Sequence, residues 1–180
     1  LNANLAVFGV VTLIAKLVMF KALWDADAPL HQVLPSLYAA NGERYAGATI
    51  RSVCREMHAF YRSRDIKGLQ RKCFRAESFP ELAMSPKDAY EKLVGNEVDY
   101  LPLTAVKSRI SATLALIYPP GIGVVVPGER WDERAQPMLD YLHAFEESFN
   151  RFPGFNYEVQ GVFQERVDGR IVFHTYVVRE

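Results

Sequence analysis

Residues 118–129 read Tyr-Pro-Pro-Gly-Ile-Gly-Val-Val-Val-Pro-Gly-Glu, the stretch that restricts the backbone most tightly. Pro119 and Pro120 fix two successive φ angles and push Tyr118 into an extended conformation. Gly121 permits backbone angles closed to other residues, and Pro127-Gly128 suits a type II turn, which needs glycine at its positive-φ position. Gly123-Val124-Val125-Val126 between them is short and β-branched enough to be a buried strand. The segment therefore predicts a stiff strand between two rigid corners. Such a corner holds an aromatic side chain in a set place at little entropic cost, as the wall of a binding cleft requires. Spacing alone keeps the plainer reading ahead, a tight turn that serves only the fold.

Other elements follow from periodicity and punctuation. Ile50, Val53, Cys54, Met57, Phe60 and Tyr61 recur at helical spacing opposite Arg51, Arg55 and Glu56, which predicts a surface helix over residues 49–61. Cys54 lies in its apolar stripe, where a thiol acts as a small hydrophobe. Ser85 and Pro86 open a short helix that Gly95 closes. Trp131, Ala135, Met138, Leu139, Leu142, Phe145 and Phe149 outline a long amphipathic helix, kinked near Pro137 and ended by Pro153-Gly154. Asp168-Gly169 supplies the two positive φ angles of a hairpin turn. Pairing Val167 with Arg170 then sets Phe163 opposite His174, Gly161 opposite Tyr176 and Val159 opposite Val178, all on one face. His174 reads as a half-buried structural histidine. The fold class is α+β, with helices packed on a small mixed or antiparallel sheet that includes the C-terminal β-hairpin.

The N-terminal run of residues 5–24 is apolar but carries Thr12, Lys16 and Lys21. It has no basic region before it and no small-residue cleavage site after it, so it is not a secretory signal. Two lysines inside the window are costly at a bilayer centre, so a buried amphipathic helix is expected, with no membrane partner. The chain starts at Leu1, which reads as the middle of something longer.

Charge and composition exclude several functions. The 21 basic residues match 21 acidic ones, so the chain lacks the basic excess of a dedicated nucleic-acid binder. The neutral total hides a local +6 over residues 51–75 and −4 over residues 129–147, patches that suit self-association or merely face solvent. Two cysteines, with no CxxC pair, suggest a reducing compartment, read as cytoplasm. The four histidines show no HxxxH or HExxH spacing, and no GxGxxG or GxxxxGK[ST] occurs, so metal and nucleotide sites are not signalled.

Read together, several stretches resemble the C-terminal region of the bacterial pyridoxal-phosphate-dependent ornithine/lysine/arginine decarboxylases. Phe20-Lys21-Ala22-Leu23-Trp24-Asp25-Ala26-Asp27-Ala28-Pro29-Leu30 and Val33-Leu34-Pro35-Ser36-Leu37 look like that family's linking helices. Arg71-Lys72-Cys73-Phe74-Arg75-Ala76-Glu77-Ser78-Phe79-Pro80 and Met84-Ser85-Pro86-Lys87-Asp88-Ala89 are closer to its ornithine-type members. Arg109-Ile110-Ser111-Ala112, residues 118–129, Phe152-Pro153-Gly154-Phe155 and Gln160-Gly161-Val162 complete the pattern. The pairing of Tyr-Pro-Pro-Gly with Pro-Gly-Glu is its most specific part. One departure is Lys107-Ser108, where the family usually has glycine next to the arginine.

The resemblance implies linking helices over residues 1–45 and a decarboxylase C-terminal domain over residues 46–180. It also implies a parent enzyme that removes CO2 from a basic amino acid, with pyridoxal phosphate as the electron sink. That chemistry needs a lysine preceded by histidine. None of Lys16, Lys21, Lys67, Lys72, Lys87, Lys92 and Lys107 follows a histidine. Catalytic and cofactor-binding residues are therefore expected in an upstream domain, and this chain alone is expected to be inactive. From the family pattern Tyr118 takes the role of a substrate-channel wall, supported by Pro119, Pro120 and Gly121. Partners implied are the upstream catalytic domain, a basic amino-acid substrate and further copies in a homo-oligomer. The alternative is a noncatalytic oligomerisation or regulatory module using the opposite charge patches.

Overall fold

The structure, a computed structural model, describes residues 2–118 and 121–180. The chain forms two compact units that divide between Phe60 and Tyr61. The first holds α1 (Asn2–Asp25), α2 (Leu30–Val33), α3 (Pro35–Ala40) and most of α4 (Ile50–Ser63).

The expectation that the N-terminal helix is amphipathic and buried is not met. Val11, Leu13, Ile14, Leu17, Val18, Met19 and Phe20 are all exposed. Leu17 through Phe20 are four consecutive apolar residues on a helix of 3.6 residues per turn, so they surround its axis and leave no polar face. Among the described residues no helix is long and apolar enough to cross a membrane.

The turn after α1 is built by Arg51. Its Nε donates to the Trp24 carbonyl at 2.6 Å, and a terminal nitrogen donates to the Asp25 carbonyl, so a cation satisfies the last carbonyls of α1. Asp27 takes a left-handed φ of +47° and accepts from the Arg51 amide. The amides of Leu30 and Ile50 donate to Ala48 and Ala28, tying the two strands of this loop together. Leu30 and Tyr45 are fully buried beside it. The helix read over residues 49–61 is α4, with Ile50, Val53 and Phe60 buried as the period requires.

The second unit runs α5 (Ile66–Cys73), α6 (Pro86–Val94), β1 (Val98–Pro102), β2 (Ala115–Tyr118), β3 (Ile122–Val125), α7 (Gln136–Arg151), β4 (Glu158–Gln160), β5 (Phe163–Val167) and β6 (Arg170–Val178). The start of α6 is as read: Ser85 Oγ accepts from the Asp88 amide at 3.1 Å, Pro86 occupies the first turn and Gly95 closes the helix. α7 supplies the centre of the core through Met138, Leu142, Phe145 and Phe149. Pro137 does not kink it. It lies in the first turn, where its missing N–H has no partner to lose. Trp131 precedes the helix instead of belonging to it, and is fully buried.

The strands form two antiparallel sheets of three, in the orders β1-β6-β5 and β3-β2-β4. Val167 pairs with Arg170 and Phe163 with His174, as the Asp168-Gly169 turn requires. The register fails beyond Phe163. Gly161 does not face Tyr176, which pairs with Tyr100, and Val159 pairs with Ile117 in the other sheet, leaving Val178 to Val98.

The cause is Gly161 itself, which turns to a φ of +71° and lets the chain cross between sheets. Its carbonyl accepts from Thr113 Oγ1 at 3.0 Å and Thr175 Oγ1 at 2.8 Å, and those hydroxyls lie 2.8 Å apart. A Cβ at this position would stand 2.0 Å from the Leu114 carbonyl oxygen. His174 is half-buried and stacks on Tyr100 with centroids 5.0 Å apart.

Ser108 adopts a φ of +67°, and its amide donates to the Trp131 carbonyl at 2.8 Å. The turn before Arg109 thus carries a side chain in the left-handed region. Arg109 then reaches Asp99 at 2.7 Å and the Val178 carbonyl at 3.0 Å, and Arg179 bonds the other Asp99 oxygen at 3.1 Å. These bonds, Arg109's first, hold the Asp99 carboxyl below its ordinary range. A depressed carboxylate stabilises the fold above its unfolded pKa of about 4, and that contribution is lost as pH falls through the folded value. Asp99→Asn should lower the thermal midpoint at neutral pH. The gap to wild type should close as pH drops below about 4, measured by circular dichroism. A gap independent of pH would refute the charge network's role.

Candidate functional site

β2 is the central strand of its sheet, and Tyr118 is its last residue, paired with Glu158 of β4. The Tyr118 side chain is about half exposed, at 52%. Gly121 turns to a φ of +81°, and its amide donates to the Ile117 carbonyl at 3.2 Å. A Cβ there would stand 2.8 Å from Tyr118 Cδ2, so the ring lies directly over the Gly121 backbone. Glycine is thus needed twice, for the backbone angle and for the ring's approach. Tyr118 and Gly121 are brought together, whereas Pro119 and Pro120 lie outside the described residues.

The second corner is the type II turn. Gly128 has a φ of +91°, and the Glu129 amide donates to the Val126 carbonyl at 3.1 Å. The Glu129 carboxylate returns the bond, accepting from the Val126 amide at 2.8 Å. Burial pushes that carboxyl up, and the Val126 amide partly offsets it. The Gly128 carbonyl accepts from the Ala83 and Met84 amides, anchoring the corner to the loop before α6. A Cβ on Gly128 would stand 2.3 Å from the Met84 carbonyl oxygen.

Beneath the sheet, Ile117 faces opposite to Tyr118 and lines a cleft of about 280 Å³. Tyr61, Tyr141, Phe145 and Tyr157 form its aromatic walls, with Gln70 among them. The helical periods place Tyr61 and Phe145 in core stripes. Tyr141 and Tyr157 carry no sequence signal of a site, although Tyr141 precedes Phe145 by one helical turn.

Neither thiol is poised as a nucleophile. Cys73 is buried, its Sγ donates to the Pro137 carbonyl at 3.6 Å, and burial pushes it up to about 11. Burial also raises Cys54. Among the described residues no group of three His, Cys, Asp or Glu side chains could hold a metal ion. Part of the two charge patches meets within the chain, where Arg64 forms an ion pair with Glu147 of α7.

The profile for "Orn/Lys/Arg decarboxylase, C-terminal domain" matches residues 67–179. The chain is 45% identical to the inducible ornithine decarboxylase of Escherichia coli over 93% of its own length and 22% of the relative's. It is 43% identical to the ornithine decarboxylase of Haemophilus influenzae, over 94% of its length and 23% of the relative's. Among solved structures, lysine decarboxylase A from Pseudomonas aeruginosa superposes with a TM-score of 0.84 at 36% identity, covering 93% of this chain and 22% of that one. The α+β fold is thus of the type found in these decarboxylases. The chain belongs to the Orn/Lys/Arg decarboxylase C-terminal domain family. It spans less than a quarter of the length of these relatives.

Pyridoxal phosphate does not fit the cleft beneath β2: among the described residues its lining is aromatic and aliphatic with Gln70 the one amide, and it offers no cation to a phosphate.

Gly128→Ala would force an L-residue into a positive φ against backbone, which costs about 3 kcal/mol or more of stability. Chemical denaturation should show the loss. A variant as stable as wild type would show that the corner is not rigid.

Proposed function

We propose that this chain is the C-terminal domain of a pyridoxal-phosphate-dependent decarboxylase of ornithine, lysine or arginine, and that Tyr118 forms part of the wall of its substrate channel. The observation that carries the reading is the exposed Tyr118 ring lying over Gly121 at the end of β2. Membership of the family and the names of the relatives support the activity. Residues 1–45 act as linking helices, and residues 46–180 as the domain. The coenzyme and the residues that bind it lie in an upstream catalytic domain, in line with relatives more than four times as long. There the coenzyme supplies an electron sink for the bond to the departing carboxylate.

The work of this chain is positional. A ring held by backbone geometry narrows the approach without an ordering cost each time substrate enters. Its fold also contributes to a cytoplasmic homo-oligomer. The alternative, a module that assembles only through opposite charge patches, loses support because Arg64 already pairs with Glu147.

Tyr118→Ala in the full-length enzyme should raise KM or lower kcat/KM about tenfold, with the absorbance of bound coenzyme unchanged. Wild-type kinetics in the variant would remove the assignment. Pyridoxal phosphate added to residues 1–180 alone should give neither a bound-coenzyme absorption band nor amine product. Either result would move the reaction centre into this chain.

A further inference from the structure

The face of β2 that carries Tyr118 also meets a carboxylate. Tyr118 pairs with Glu158 across β2 and β4, and directly paired residues point to the same side of a sheet. Their neighbours Ile117 and Val159 point the other way, into the core. The Tyr118 ring leans over Gly121, on the β3 side of the strand, and Glu158 stands exposed on the β4 side. β4 is only three residues long, yet both ends are fixed. The Tyr157 ring meets Phe145 edge-on with centroids 5.4 Å apart, and Gly161 is held by the two threonine hydroxyls. Glu158 is therefore placed by backbone that the core anchors, as Tyr118 is.

The charge of Glu158 is oriented without being neutralised. Gln160 Nε2 donates to Glu158 Oε1 at 2.5 Å, from two positions along the same strand and hence from the same face. An amide holds the carboxylate in place and leaves it negative. Among the described residues no cation pairs with Glu158, whereas Glu81, Glu97 and Glu147 each hold a basic partner. An exposed ring and an unneutralised carboxylate flanking one strand end suit an elongated cation. Its apolar stem lies along the ring and its charge meets the carboxylate. A neutral or acidic amino acid gains nothing from the second contact.

We infer that Glu158 is a substrate-recognition residue, whose carboxylate takes the side-chain cation of the basic amino acid beside Tyr118. The inference rests on the proposed function, which makes Tyr118 a channel wall. The bond that breaks is at the α-carbon, so that end leads toward the reaction centre and the side-chain ammonium or guanidinium trails beside the wall. The trailing charge does not change in the reaction, so its attraction to Glu158 acts on binding and is read in KM. Because the carboxylate is exposed, the attraction is also screened by salt.

The test uses the full-length enzyme, with whichever of L-ornithine, L-lysine and L-arginine the wild type turns over fastest. Glu158→Gln, which keeps the shape and the acceptor for Gln160, should raise KM about fivefold and lower kcat/KM in proportion. Raising the salt from about 0.02 to about 0.3 M should reduce wild-type kcat/KM several-fold and that of the variant less, because one attracting charge is gone. An unchanged thermal midpoint shows that the variant is folded. Wild-type KM in Glu158→Gln, or equal salt dependence in the two proteins, would overturn the inference. So would a wild-type kcat/KM that ignores salt, an observation that needs no variant. The Tyr118→Ala kinetics keep the two readings apart. An effect there beside wild-type kinetics in Glu158→Gln removes only the recognition role, whereas no turnover of any of the three amino acids removes the proposed function itself.

Discussion

A single carbonyl ties the second unit together. The oxygen of Gly161 receives the hydroxyls of Thr113 and Thr175, both buried, at the point where the chain leaves one sheet for the other. A buried hydroxyl without a partner is costly, and the one carbonyl gives the single proton of each threonine an acceptor. Thr113 lies just before β2 and Thr175 within β6, so the node fixes the end of one sheet to the middle of the other. α7 then packs where both sheets can reach it, with Ile117 and Val125 from one and Phe173 and Val177 from the other in the same core. The cleft and the Tyr118 corner inherit their positions from this arrangement.

How far the sequence anticipated this depended on whether the deciding interaction was local. Ser85, Pro86 and Gly95 state the ends of α6 because capping acts within one turn. Asp168-Gly169 states the hairpin because two positive φ angles suffice to set its register. Gly161 defeated the same reasoning: continued alternation looked like one long strand, and the break depends on Thr113, 48 positions away. α1 misled for another reason. Its lysines suggested a polar face, but consecutive apolar residues around the axis leave none.

The candidate site was legible to a similar degree. The prolines and glycines of residues 118–129 announce two corners because each restricts its own backbone, and Gly121 and Gly128 both adopt the positive φ that this demands. The aromatic cleft was not legible, since it joins Tyr61, Tyr141 and Tyr157 from three separate segments. Such a constellation exists only after α7 has docked. One strand thus ends in an exposed tyrosine on one face and packs against core aromatics on the other.

The β5–β6 hairpin carries one more implication. Every residue of β5 is solvent-exposed, so this strand contributes pairing to β6 and little burial. Its Gln164, Glu165 and Arg166 keep an open edge hydrophilic, which discourages stacking with stray chains during synthesis and storage. The Asp168-Gly169 bend is free of crowding, with nothing within 4 Å of a Cβ built on Gly169. It is therefore the natural place to graft an epitope or a fluorescent reporter, because material added there disturbs neither buried node nor corner.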